Sequence, residues 1–205
     1  PASVTLDAAF RTASFWSLNA AFILTTLAAI TIGVHLIPYL IERGYDTGFA
    51  ALAVGLIGLM QLPGRLLFVP LGGQLSRRTI TVCLALMQST ALAALLLMDN
   101  LAGVLLFVAL FGMANGMLTL ARASLVVEFF GPAYYGSING WVGFFTVLAR
   151  AAAPLGAGLM FTLFNSYVPV LWTLIGASTG AAVCFYLAEI WWARRGATKV
   201  ATMGG

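Results

Sequence analysis

The chain has 205 residues, 61% of them hydrophobic and only 8% charged. Ordinary globular chains run about 45–50% apolar and about 25% charged, and ten Lys/Arg with six Asp/Glu cannot cover a water-soluble core. The composition therefore places the chain in a lipid bilayer. It excludes disorder, a disulfide scaffold and a collagen-like fibre, argues against nucleic-acid binding, and points to no cofactor or metal. Cys83 and Cys184 both lie in apolar runs and read as small buried hydrophobes.

In chain order, residues 1–13 read as a cytoplasmic linker, and six apolar stretches follow at about 14–41, 49–74, 79–98, 101–127, 138–162 and 168–192. A helix needs about 20 residues to cross the hydrocarbon layer, so all six qualify. Residues 193–205 read as a cytoplasmic tail. The links are short and carry turn or interface residues, such as Glu42-Arg43-Gly44-Tyr45-Asp46 and Asp99-Asn100. Consecutive helices are then expected to be antiparallel neighbours. The expected class is an all-α polytopic membrane protein, because lipid offers no partner to open strand edges.

Orientation follows the Lys/Arg bias. With the N-terminus in the cytoplasm, Arg11, Arg77, Arg78, Arg194, Arg195 and Lys199 fall on that side and Arg43 falls opposite. That asymmetry predicts a multi-pass protein of the cell membrane with both termini in the cytoplasm. The chain begins at Pro1 instead of Met, as expected of a piece of a longer protein.

Arg65, Arg122 and Arg150 remain. By helical rise, Arg65 lies roughly 16 Å from Ser76 and Arg150 roughly 19 Å from Ser137, both near mid-bilayer. A charge there costs at least about 2.5–3.5 kcal/mol and must face protein or a wet cavity. Every acidic residue (Asp7, Glu42, Asp46, Asp99, Glu128, Glu189) lies at or near a helix end. The counter-charge is then an anionic ligand, a carboxylate from elsewhere, or carbonyls and water.

The six helices divide into two groups of three, and the middle helix of each carries Pro and Gly: Pro63-Gly64 in the second, Pro154 with Gly156 and Gly158 in the fifth. Interrupted helices at corresponding positions of an inverted repeat point to a transporter site. Gly and Pro are also common in membrane helices for packing alone; their coincidence with Arg65 and Arg150 favours the functional reading.

Arg122, nearer the cytoplasmic end of the fourth helix, reads as structural or gating. Glu128 falls level with Arg77 and Arg78, where it either forms an interfacial salt bridge or is solvated. His35 is the one histidine and the intramembrane group that titrates near neutral pH. It either assists proton coupling and substrate binding or is a neutral ring bonded to a carbonyl. Gln61, Asn115, Asn139 and Thr146 either line the same cavity or join helices.

With these residues in hand, the chain resembles the C-terminal six-helix half of a major facilitator superfamily transporter, a 3+3 inverted repeat. His35-Leu-Ile-Pro38-Tyr39 and Gln61-Leu-Pro63-Gly64-Arg65 are similar to the seventh and eighth helices of monocarboxylate and oxalate/formate-type members. Gly73-Gln-Leu75-Ser76-Arg77-Arg78 resembles the next loop, although Arg77 stands where the family usually carries an acidic residue. Glu128-Phe-Phe-Gly131-Pro132 and Ala153-Pro154-Leu-Gly156 resemble the tenth-to-eleventh connection and the eleventh helix.

The resemblance implies a secondary transporter of small organic anions, proton-coupled or exchanging. It implies Arg65 as principal carboxylate anchor and Arg150 as second cation, with His35, Asn115 and Gln61 in the cavity. Pro63, Gly64, Pro154, Arg77, Arg78, Arg122 and Glu128 are then structural or gating. An N-terminal six-helix half is the implied partner, and alternating access the implied mechanism. An efflux carrier for hydrophobic solutes is the alternative. An intramembrane enzyme is disfavoured, since one histidine without His-x-x-x-His or an acidic partner makes no metal or nucleophile site.

Overall fold

The computed structural model describes residues 3–203, and of residues 69, 71, 73, 77 and 194–203 the backbone alone. The chain is helical: α1 (Leu6–Phe10), α2 (Ala13–Glu42), α3 (Thr47–Gln74), α4 (Arg77–Leu97), α5 (Leu101–Phe130), α6 (Tyr135–Phe164) and α7 (Val168–Met203). Helices α2 to α7 are each long and apolar enough to cross a membrane. The turns are set by polar caps that satisfy the first free N–H groups. Thr12 accepts from Phe15 N at 3.0 Å, Ser76 from Thr79 N at 3.1 Å and Asn100 from Gly103 N at 2.9 Å. Left-handed residues close other ends: Gly131 (φ 76°) after α5 and Asn165 (φ 50°) after α6. Gly131 is also a close approach, because a Cβ there would lie 2.8 Å from Ser3 Cα.

Packing follows an exchange rule. Helix α3 packs on α5 as α6 packs on α2, α7 lies along α2 as α4 lies along α5, and α4 meets α7. Swapping α2–α4 with α5–α7 leaves that pattern unchanged, which is the signature of a two-fold repeat.

Three expectations need correction. Consecutive helices are mostly poor neighbours: α3 scarcely touches α4, and α6 scarcely touches α7. A short link fixes only one end of a helix pair, while small-residue faces decide where the rest packs. Neither Pro63 nor Pro154 interrupts its helix; α3 and α6 run through them as single helices. A proline removes one backbone bond, and neighbouring helices re-satisfy the freed groups. Cys83 faces outward on α4; an apolar run in a bilayer is hidden by lipid as well as by protein.

The core is two apolar clusters, one per membrane half. One holds Phe15, Phe22, Leu84, Met117, Leu118 and Ala181; the other holds Ala28, Leu36, Leu92, Phe111 and Leu174. Between them, on four helices, lie Thr25, Gln88, Asn115 and Ser178, a polar layer across the middle of the bundle.

Candidate cavity and its cations

A cavity of about 440 Å³ opens on one flank of the bundle, walled by α2, α3, α5 and α6. Among the described residues, helices α4 and α7 contribute nothing to its wall. Most of the wall is apolar (Phe22, Ile30, Ile57, Phe111), and the polar groups converge from four helices: Thr25, Gln61, Asn115, Arg122, Thr146 and Arg150. The lining holds no Asp or Glu among the described residues. Concave, mostly apolar sites with a few placed polar groups are the usual form of a small-molecule site.

Arg122 from α5 and Arg150 from α6 both line the cavity. Arg122 Nη1 donates to Thr146 Oγ1 at 3.2 Å. That hydroxyl lies 2.8 Å from the Gly143 carbonyl and 3.0 Å from the Val142 carbonyl, and its proton goes to one of them. A Cβ at Gly143 would lie 3.3 Å from Arg122 Nη2, so the guanidinium packs closely against this glycine. Arg150 is near enough for the two positive charges to repel. Two like charges held over an apolar wall without a carboxylate are an anion-binding arrangement.

The other predicted site residues divide into groups. Gln61 and Asn115 line the cavity with Arg150. Arg65 lies outside the lining, exposed on α3, with Nη2 donating to Gln61 Oε1 at 3.4 Å. His35 also lies outside it, in a small separate pocket, with Nε2 3.2 Å from the Pro154 carbonyl and Nδ1 3.3 Å from Tyr167 OH. Pro154 therefore serves as a cross-helix acceptor.

Gly64 is a contact point: a Cβ would collide with the Met113 carbonyl of α5, and Pro63 precedes it on the same turn. Arg78 stacks its guanidinium 3.9 Å over the Tyr186 ring of α7. Glu189 senses the charges of both Arg78 and Glu128, so these three gather at the end of the bundle nearest the chain termini. The Arg77 side chain lies outside the described residues. At the opposite end Arg43 pairs with Asp99 at 2.8 Å.

Reading the sequence missed Gln88, whose signal was a lone amide inside the third apolar run. A Gly-x-Ser-x-Gly string, Gly176 to Gly180, also occurs. It lies within helix α7 with Ser178 fully buried, and a nucleophile elbow needs an exposed serine on a strand-to-helix turn.

The family model described as Major Facilitator Superfamily matches residues 2–154, from the segment before α1 into α6. The chain belongs to the major facilitator superfamily. This superfamily protein is a multi-pass membrane transporter, and the paired triplets of helices are half of that fold. No curated relative matches it at a significant level.

Proposed function

We propose that this transporter carries a small organic anion, a monocarboxylate or short dicarboxylate, and that Arg122 and Arg150 grip its carboxylate. One observation carries the reading: both guanidiniums line one cavity whose wall offers them no carboxylate. The apolar wall suits a short hydrocarbon portion, and the volume suits a small solute. Arg65, beside Gln61 at the rim, is the receiving cation as substrate enters. This differs from the expectation that Arg65 is the principal anchor, because Arg122 faces the cavity and Arg65 does not.

Arg65 stands among Leu62 and Leu66, which are 55% and 76% exposed. A bare guanidinium toward lipid is costly, so protein or water covers this face. A second six-helix half is the proposed cover, with the substrate site between the halves and alternating access by rocking. Coupling is to protons or to a counter-anion, and the termini are proposed to lie in the cytoplasm of a cell membrane.

The test is uptake of labelled mono- and dicarboxylates into vesicles carrying the complete transporter. Losing a charged hydrogen bond weakens binding about 10- to 100-fold. Arg150→Ala and Arg122→Ala should each reduce carboxylate affinity by about that factor, and Arg65→Ala by less. Unchanged carboxylate uptake in both cavity variants would sink the anion reading. Drug resistance on expression, without carboxylate uptake, would favour the efflux alternative.

A further inference from the structure

Gln88 is fully buried on α4, a helix that does not reach the cavity. Its Nε2 donates to the Thr25 carbonyl of α2 at 3.4 Å and to Asn115 Oδ1 of α5 at 3.5 Å. Its Oε1 accepts from Ser178 Oγ of α7 at 3.4 Å. Asn115 Nδ2 donates to the Phe111 carbonyl at 2.8 Å. A leucine in place of Gln88 would pack in this layer without needing partners, so the amide is there for what it orients.

Two backbone carbonyls fix both amides, because a carbonyl only accepts. Turning Gln88 over would set its oxygen against the Thr25 carbonyl. Turning Asn115 over would set its oxygen against the Phe111 carbonyl and its NH2 against the NH2 of Gln88. In the arrangement that remains, Asn115 Oδ1 is engaged by Gln88 and one Nδ2 proton by Phe111. The second Nδ2 proton is left on a side chain that lines the cavity.

We infer that Gln88 is a positioning residue: it locks the Asn115 amide so that an N–H, and not the carbonyl, is presented to the arginine-lined cavity as a further donor to a bound carboxylate. The inference rests on the anion reading for its ligand. It adds a sense of selection, since a carbonyl turned inward would repel the anion that the arginines attract. Support runs from α7 through Ser178 and Gln88 to Asn115, so helices outside the wall set the chemistry of the wall.

The test is a double-mutant cycle in the complete transporter, with labelled carboxylate uptake as the readout. Gln88→Met keeps the length without the amide, and Asn115→Leu removes the donor. Each should raise KM about tenfold, the effect of losing one hydrogen bond to a charge, with Vmax within about twofold. The double variant should be no worse than Asn115→Leu alone. An unchanged KM in Gln88→Met, or losses that simply multiply, would overturn the inference while leaving the arginine results standing.

A second measurement does not depend on the substrate. With 15N-labelled asparagine side chains, the two Asn115 amide protons, inequivalent in any primary amide because C–N rotation is slow, should exchange slowly with solvent, and Gln88→Met should shift both resonances and speed that exchange. Unchanged signals would overturn the positioning role even if no carboxylate is carried. If Gln88→Met fails to fold, Gln88→Leu removes the amide with another uncharged apolar side chain, and the same KM rise and signal change are required of it.

Discussion

At the scale of single residues, the histidine shows how geometry assigns a proton. The Pro154 carbonyl accepts only, so His35 Nε2 carries the hydrogen, and in the neutral ring Nδ1 accepts from Tyr167 OH. Burial pushes the Tyr167 phenol up, so it stays protonated and able to donate. Tyr167→Phe removes one bond, about 1 kcal/mol, and should lower the thermal midpoint of the detergent-solubilised protein with carboxylate KM within about twofold. His35→Gln addresses coupling: if protons enter through this ring, uptake stops responding to an imposed pH gradient while anion exchange persists, and an intact response removes His35 from the coupling path. Arg150, Gln61 and Asn115 were legible because charges and amides are rare inside apolar runs. Arg122 was legible as an intramembrane charge but not as a cavity residue, since helix length and hydropathy do not say which face of α5 packs where. Gln88 was illegible as a positioning group because its meaning lies in partners 27, 63 and 90 residues away.

Helices were the most legible level, because six apolar runs of spanning length have one physical solution in lipid. Their packing was not, since length and hydropathy do not say which face meets which. The two equivalent crossings use different means. Helix α2 is tied to α6 by Thr31 Oγ1 and His35 bonding to the Ala153 and Pro154 carbonyls. Helix α3 closes on α5 through Gly64, Gly112 and Gly116, and Gly112-x-x-x-Gly116 is the small-residue spacing that permits close approach. A Cβ at Gly116 would collide with the Gln61 carbonyl and lie 2.8 Å from Gln61 Cα. Gly116→Ala should therefore cost about 1–3 kcal/mol of overpacking and shift Gln61, raising KM as well as lowering the thermal midpoint. At Gly176 of α7 an added Cβ meets nothing within 4 Å, so Gly176→Ala is the matched control and should leave both unchanged. Equal effects of the two substitutions would show that the α3–α5 crossing does not depend on glycine.

For the whole molecule, the charges sort by place. Those at the two ends latch the bundle: Arg78 over the Tyr186 ring at one, Arg43 with Asp99 at the other. Those between them face the open flank. If the flank is one wall of an alternating-access path, accessibility from the two sides must be reciprocal. In the complete transporter with Cys83 and Cys184 replaced, exposed Glu42 and Tyr134 lie at opposite ends of the bundle. The Lys/Arg bias predicts that Glu42→Cys reacts with an impermeant thiol reagent on intact cells and Tyr134→Cys only after permeabilisation. Against that reference, Arg65→Cys should react from either side, from one at a time, and the favoured side should change with the face on which carboxylate is supplied. Reaction from one side under every condition would argue for a fixed pore or a static lipid-covered face. Reaction only with lipid-soluble reagents would place Arg65 against the bilayer and remove the need for a covering half.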